Sequence, residues 1–118
     1  MFTFEKLDVW KKAIDFADLV YTSTRHFQPE KRFGLTSQMR RAAVSLSSNI
    51  AEDCSRISKA DFARSIEIAT GSVFEAVSQA FIGRRQGFLK EDEFVLIYEA
   101  AEEQSRMLSG LRKSLLKK

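Results

Sequence analysis

Few side chains in this sequence are able to act as metal ligands. His26 is the only histidine among the 118 residues, and it falls near the expected end of the first helix. Metal sites inside helical bundles commonly draw a histidine from each of two helices, with a glutamate three residues before each one. A single histidine cannot supply that arrangement. We therefore predict no metal ion and no cofactor.

Nucleophilic catalysis has equally little support. Cys54, the only cysteine, lies at the expected C-terminus of the second helix, where the helix dipole disfavours a thiolate. No serine, threonine or cysteine stands in a motif with a histidine base. Glu52, Glu67 and Glu75 are able to meet in space as paired carboxylates, but no spacing singles them out. The sequence predicts no catalytic residue, and a protein that is not an enzyme.

Basic residues gather around both ends of the second helix. The chain has 19 basic and 16 acidic residues, a net charge of +3 and a pI near 9.2, which is compatible with nucleic acid without requiring it. Aromatic residues of the kind that stack on bases are not interleaved with the basic ones. The basic positions are candidate nucleic-acid contacts, with an ordinary solvated surface as the alternative. They are Lys31, Arg32, Arg40, Arg41, Arg56 and Lys59.

The composition favours an all-α domain. Hydrophobic residues make up 44% of a chain that contains ten Phe, one Pro and five Gly. So few turn-forming residues argue against a sandwich or barrel, and the length suits a single domain over 1–118. No apolar run reaches the roughly 18 residues of a membrane span. The single cysteine and the missing secretory signal lead us to expect a cytoplasmic protein.

Four helices are expected, at about residues 7–26, 35–54, 59–86 and 91–115. The first ends before Pro29, because a residue that precedes proline avoids the α region. Ser58 and Asp61 form a variant of the capping box that starts the third helix, and Gly87 suits the left-handed residue that ends it. Short connections predict an up-down-up-down four-helix bundle.

Periodicity assigns core faces to the first and last helices. The face predicted for the first helix consists of Trp10, Ala13, Ile14, Ala17, Val20, Tyr21 and Thr24. The face predicted for the fourth consists of Phe94, Ile97, Tyr98, Ala101, Ser105, Leu108 and Leu115.

The apolar stripes exceed what one bundle core needs. The third helix has a heptad-like seam from Phe62 to Gly83 and a second stripe that includes Ala63, Phe74 and Phe81. Besides its core face, the second helix has a line of small and polar residues that suits either a close interface or plain solvation. We predict a homo-oligomer. Its predicted interface consists of Arg41, Ser45, Ser48, Glu52, Phe74, Phe81, Leu96, Met107 and Leu111.

Four blocks of the sequence carry a family resemblance. They are residues 4–10 (FEKLDVW), 32–43 (RFGLTSQMRRAA), 48–52 (SNIAE), and Gly71-Ser72 with Glu75. In order and spacing they resemble the bacterial 23S rRNA intervening-sequence proteins. The resemblance implies an up-down four-helix bundle that assembles as a homopentameric ring. It also implies kinship with the accessory protein of diversity-generating retroelements, which binds a reverse transcriptase and RNA.

The sequence departs from the family pattern at three places. Ser47 stands where the family usually has proline, so we expect a weaker kink, or none, in the second helix. Asp53 and Ser55 replace glycines, which predicts a less sharp or later end of that helix. Lys90 stands where a capping serine is common.

The leading prediction is a non-catalytic, homo-oligomeric scaffold, a pentamer by resemblance, that binds RNA or a ribonucleoprotein through its basic surface. The alternative is a protein-protein interaction adaptor, for example an accessory subunit of a reverse transcriptase, that does not itself bind nucleic acid. The expected partners are further copies of the chain and RNA or a nucleic-acid-binding protein, with no membrane.

Overall fold

The computed structural model describes residues 1–28, 30, 32–55 and 58–117, and the side chains of these residues except those at 32 and 33. A short 3-10 turn, Thr3–Lys6, precedes the first helix, and a π-helical turn, Arg32–Thr36, leads into the second. The described part contains four α-helices and no strand. They are α1 (Asp8–Thr24), α2 (Ser37–Asp53), α3 (Lys59–Arg85) and α4 (Glu91–Leu116).

The four helices pack as an all-α bundle, as predicted. Each helix contacts its neighbour along the chain, and α1 also packs against α4, which closes the bundle. Ion pairs at the two ends of the α3–α4 hairpin, Arg84 with Glu91 and Glu67 with Arg112, fix the antiparallel direction of these helices. Every helix end lies within two residues of its predicted position. The bundle measures 48 × 23 × 20 Å.

The predicted seam of α3 forms the centre of the core. Apolar side chains from all four helices surround it, with Phe16, Leu46 and Leu108 among the largest that are fully buried. Phe62, at the start of the seam, is only half-buried. The rest of the seam is buried, namely Ile66, Ala69, Val73, Ala76, Ala80 and Gly83.

The predicted core face of α1 is correct on one side and wrong on the other. Three of its seven residues are buried as predicted, namely Ala13, Val20 and Thr24. Ile14 and Tyr21 are exposed, whereas Val9 and Phe16 are buried. Because α1 packs against both α2 and α4, its buried face is rotated toward Val9 and Phe16 relative to the predicted one.

Two smaller corrections concern α3 and α4. Tyr98, predicted to face the core, is exposed because it lies at the edge of the buried face, where its ring contacts the rings of Phe81 and Phe94. Ala63, predicted for the second stripe of α3, is buried in the chain's own interior. At the margin of a stripe, neighbouring side chains cover a small methyl group completely, but they cover a large aromatic ring only in part.

Both ends of α3 follow the predicted local chemistry. The Asp61 backbone N–H donates to Ser58 Oγ at 3.0 Å, so Ser58 caps the N-terminus. At the other end, Gly87 has a φ of 78°. The N–H groups of Phe88 and Gly87 donate to the carbonyls of Gly83 (2.9 Å) and Arg84 (3.0 Å), which is the Schellman pattern.

At the start of α4, a hydrogen bond from the Lys90 backbone takes the place of a capping serine. The Lys90 side chain makes no capping hydrogen bond, but its backbone N–H donates to the Glu93 carboxylate at 2.9 Å. The same carboxylate lies 2.9 Å from His26 Nε2. A position at the end of the first helix predicts a solvated histidine. His26 is exposed but lies after the end of α1, and its contact with Glu93 connects this part of the chain to α4.

The departures of α2 from the family pattern do not interrupt the helix. Ser47 is a buried helical residue whose hydroxyl donates to the Val44 carbonyl at 3.1 Å. The helix ends at Asp53, and the Cys54 N–H still donates to the Ile50 carbonyl at 3.1 Å. This helix therefore ends without a glycine.

We expect opposite effects of the same substitution at two glycines. Gly87→Ala should lower the free energy of unfolding by about 1–2 kcal/mol, since a Cβ is unfavourable at positive φ. Gly110→Ala should raise it by about 0.5–1 kcal/mol, because Gly110 is helical and exposed and an added Cβ meets nothing within 4 Å. Urea unfolding followed by circular dichroism measures both. Equal effects would contradict the assignment of Gly87 as the cap.

Candidate functional site

The predicted nucleic-acid residues whose side chains the structure describes do not form one cluster. Lys31 and Arg56 lie outside the described residues, as does the side chain of Arg32. Lys59 is exposed at the first position of α3, beyond the C-terminal end of α2. Arg40 and Arg41 lie in the first two turns of α2, so about 18 Å of helix separates them from that corner.

Arg40 takes part in the packing of α1 against α2. Its Nε donates to Thr24 Oγ1 at 3.0 Å, and its Nη2 lies 3.5 Å from the Tyr21 carbonyl oxygen. Its guanidinium carbon is 4.5 Å from the centroid of the Tyr21 ring. Because Tyr21 and Thr24 form the last turn of α1, a cation here also complements the negative end of that helix dipole. Sequence reasoning missed this contact, whose partners lie 16 and 19 residues away along the chain.

Arg41 is exposed and makes no hydrogen bond or ion pair with any described residue. It lies about 100° around the helix from Arg40. Of the two adjacent arginines, Arg40 has partners on α1, whereas Arg41 has none among the described residues.

A shallow groove of about 630 Å³ crosses the outer face of α2 between these two arginines. We call it the α2 groove. Two arginines and four hydroxyl-bearing residues line it, with no carboxylate. Its lining consists of Tyr21, Thr36, Ser37, Arg40, Arg41, Val44 and Ser45. Thr36 is 2% exposed, and its hydroxyl has no hydrogen-bond partner.

A second groove, of about 560 Å³, runs between α3 and α4 on another side of the bundle. We call it the aromatic groove, after Phe74, Phe81 and Tyr98, which are 63%, 40% and 39% exposed. Val73 and Ala101 are the buried residues that line it, and its charged residues are Glu102 and Arg106. The second stripe predicted for α3 therefore lies, at Phe74 and Phe81, on the surface of a single chain.

The other residues predicted for an interface differ in exposure. Leu96 is exposed, but Met107 and Leu111 are half-buried against the chain's own core. On α2, Ser48 and Glu52 are exposed about two and three turns beyond Arg41 on the same side of the helix. Ser45 is half-buried, and its Oγ accepts hydrogen bonds from Asn49 Nδ2 (3.2 Å) and Ser72 Oγ (3.3 Å).

Two glutamine side chains that sequence reasoning did not single out form polar contacts inside the bundle. Gln104 Nε2 donates to the Val9 carbonyl at 3.1 Å and so joins α4 to α1. Gln79 Nε2 lies 3.3 Å from Glu75 Oε1 and 3.5 Å from Gln38 Oε1 on α2. Both are buried at positions where the periodicity predicts the edge of an apolar face.

The groups able to do covalent chemistry are dispersed. Burial raises the pKa of the Cys54 thiol, and the neighbouring charge of Asp53 raises it further. The Cys54 thiol donates to the Ala51 carbonyl at 3.3 Å. Glu67 pairs with Arg112, so it does not join Glu75 in a carboxylate pair. Within the described part of the chain, no three His, Cys, Asp or Glu side chains come together as metal ligands.

Comparison with known proteins identifies the family. The sequence model of the 23S rRNA-intervening sequence proteins matches residues 5–110. The chain belongs to this family. A crystal structure of a protein of unknown function from the S23 ribosomal protein family, from Bacteroides thetaiotaomicron, has the same fold with a TM-score of 0.82. It is 23% identical, and the match covers 89% of this chain and 95% of that one.

The comparison with curated proteins finds no match. None of the helices in the described part is both long enough and apolar enough to cross a membrane. Family membership confirms the predicted resemblance, and the structural likeness confirms the bundle fold.

The two arginines of the α2 groove should respond differently to truncation. Arg40→Ala should lower the free energy of unfolding by about 1–2 kcal/mol, because the Thr24 hydroxyl, the Tyr21 carbonyl and the Tyr21 ring are all left without the guanidinium group. Arg41→Ala, its matched control, should change it by less than about 0.5 kcal/mol. Thermal and urea unfolding measure the difference. A larger effect at Arg41 would contradict the assigned roles.

Proposed function

We propose that this chain is a non-catalytic, homo-oligomeric scaffold of the 23S rRNA-intervening sequence family that binds RNA or a ribonucleoprotein in the cytoplasm. The aromatic groove is the observation that carries the proposal. Three aromatic side chains, from Phe74, Phe81 and Tyr98, lie together on the surface of one chain. Contiguous apolar patches of this kind are typical of interfaces.

A second copy of the chain is the occupant that we propose for this groove. Its two charged residues, Glu102 and Arg106, have opposite signs, so a neighbour with matching charges covers the groove without leaving a buried charge unpaired. Five copies, the number implied by the family resemblance, would carry +15 from +3 each. Assembly thus turns a weak net positive charge into a strongly positive surface that can bind a polyanion.

Arg41 and Lys59 are the described basic residues that support the RNA part of the proposal. Both are exposed and lie toward opposite ends of α2. In an assembly they repeat once per copy, which multiplies weak phosphate contacts.

An adaptor that binds another protein but not nucleic acid is the second candidate. The contact of Arg40 with α1 favours this candidate, since one of the six basic residues predicted to bind nucleic acid already has a partner within the chain. In that case the aromatic groove is covered by a different protein, such as a reverse transcriptase.

Light scattering tests the assembly. The wild-type chain should have a mass several times 13.5 kDa, and Phe74→Glu should reduce it because a charge in a buried aromatic interface is strongly unfavourable. Ile68→Glu is the matched control, since Ile68 is 60% exposed on α3 but does not line the groove. A wild-type mass of 13.5 kDa would remove the assembly from the proposal, as would equal masses for the two variants.

A salt titration of binding to structured RNA tests the second part. The logarithm of affinity should fall steeply and linearly with the logarithm of salt concentration. Lys59→Ala should reduce the slope by about 1 for each phosphate that Lys59 neutralises. Lys113→Ala, which removes an exposed lysine from the last turn of α4, should leave the slope unchanged. Absence of binding at low salt would favour the adaptor.

A further inference from the structure

The polar lining of the α2 groove consists of donors and neutral hydroxyls. The guanidinium groups of Arg40 and Arg41 line it, together with residues that carry hydroxyls, and no Asp or Glu does. Most charged surfaces of small domains mix both signs, which neutralises the local field. A concave site with positive charge alone attracts anions.

Arg40 is held in a fixed orientation by the protein itself. Its Nε is bonded to Thr24 and its Nη2 lies near the Tyr21 carbonyl, while the Tyr21 ring packs against its guanidinium group. A guanidinium that is already oriented loses little conformational entropy when its remaining N–H groups bind a ligand. Arg41, on the other side of the groove, has no partner among the described residues.

Thr36 supplies a second, independent observation. It lines the groove and is 2% exposed, yet its hydroxyl has no hydrogen-bond partner among the described residues. A buried hydroxyl without a partner is unfavourable, so folded proteins seldom keep one without a reason. An anion in the groove would provide the missing acceptor.

We propose that the α2 groove is a phosphate-binding site formed by Arg40, Arg41 and the hydroxyl of Thr36. Planar guanidinium groups match the oxygens of a phosphate, and the hydroxyl adds a neutral donor. For its preferred ligand, the phosphodiester of an RNA strand, the proposal rests on the proposed function and gives that function a defined contact. Free phosphate has the same chemistry, and the experiment separates the two sources.

Fluorescence anisotropy with a labelled single-stranded oligoribonucleotide and the full chain tests the site. Arg41→Ala should weaken binding roughly tenfold to a hundredfold, as expected when a charge-assisted hydrogen bond is removed. Thr36→Val keeps the shape of the side chain and should weaken binding roughly threefold to tenfold. The melting temperature of Thr36→Val should be unchanged or higher, since the buried unpartnered hydroxyl is gone. Lys113→Ala, which removes one positive charge away from the groove, should bind as the wild type does.

Competition identifies the source of the phosphate. Displacement of the labelled strand by millimolar inorganic phosphate supports a site for small phosphates, and displacement by unlabelled RNA alone supports a site for a strand. If the chain assembles and binds RNA but Arg41→Ala or Thr36→Val binds as tightly as the wild type, the site is overturned and the proposed function stands. If neither the oligoribonucleotide nor inorganic phosphate binds by calorimetry, the site and the RNA part of the function both fail.

Discussion

The bundle depends on how closely α3 approaches the segments packed against it. A seam of alanine, valine and glycine lets α2 and α4 lie near its backbone. At Gly83 an added Cβ would lie 3.2 Å from Leu89 and 3.3 Å from Leu35. Those two leucines belong to the connections that lead out of α3 and into α2, so one missing side chain lets both connections fold against the end of the helix. The positions of α2 and α4 follow from that approach.

The same close approach explains why the two large aromatic residues of the second α3 stripe, Phe74 and Phe81, lie outside the core. A seam of small residues leaves no space at its centre for Phe74 or Phe81, which lie on the adjacent stripe of the helix. Phe81 instead packs its ring edge-to-face against Phe94, with centroids 4.8 Å apart. Arg84 covers the Phe94 ring at 3.8 Å. Toward Arg84 these contacts partly cover the aromatic stripe, whereas Phe74 remains the most exposed of the three aromatic residues in the groove.

Local sequence signals predicted the helices. The rotation of α1 and the role of Arg40, which those signals could not predict, depend on long-range packing. Ser58 and Gly87 act on their own chain neighbours, so their roles can be inferred from a few residues of sequence. The rotation of α1 depends on two helices at once, which is why the periodicity placed Tyr21 inside and omitted Phe16. The role of Arg40 depends on a threonine 16 residues earlier, on another helix. No spacing rule links those two positions, and the difference between Arg40 and Arg41 is visible only in the fold.

The difference between Arg40 and Arg41 bears on how the proposed assembly and the proposed anion binding can occur together in one small chain. The sequence placed Arg41 both in an interface and on a surface that binds a polyanion, whereas our proposals for these two roles use different grooves, one between α3 and α4 and one on α2. If the aromatic groove is covered by another copy, the α2 groove of that chain need not be covered with it. Each added copy then contributes one more groove to a common surface. Several weak phosphate contacts held at fixed spacing bind a flexible strand far more tightly than one does, because after the first contact the others form at high effective concentration. Under the proposed assembly, a net charge of only +3 per chain would suffice for RNA binding without a strongly basic domain.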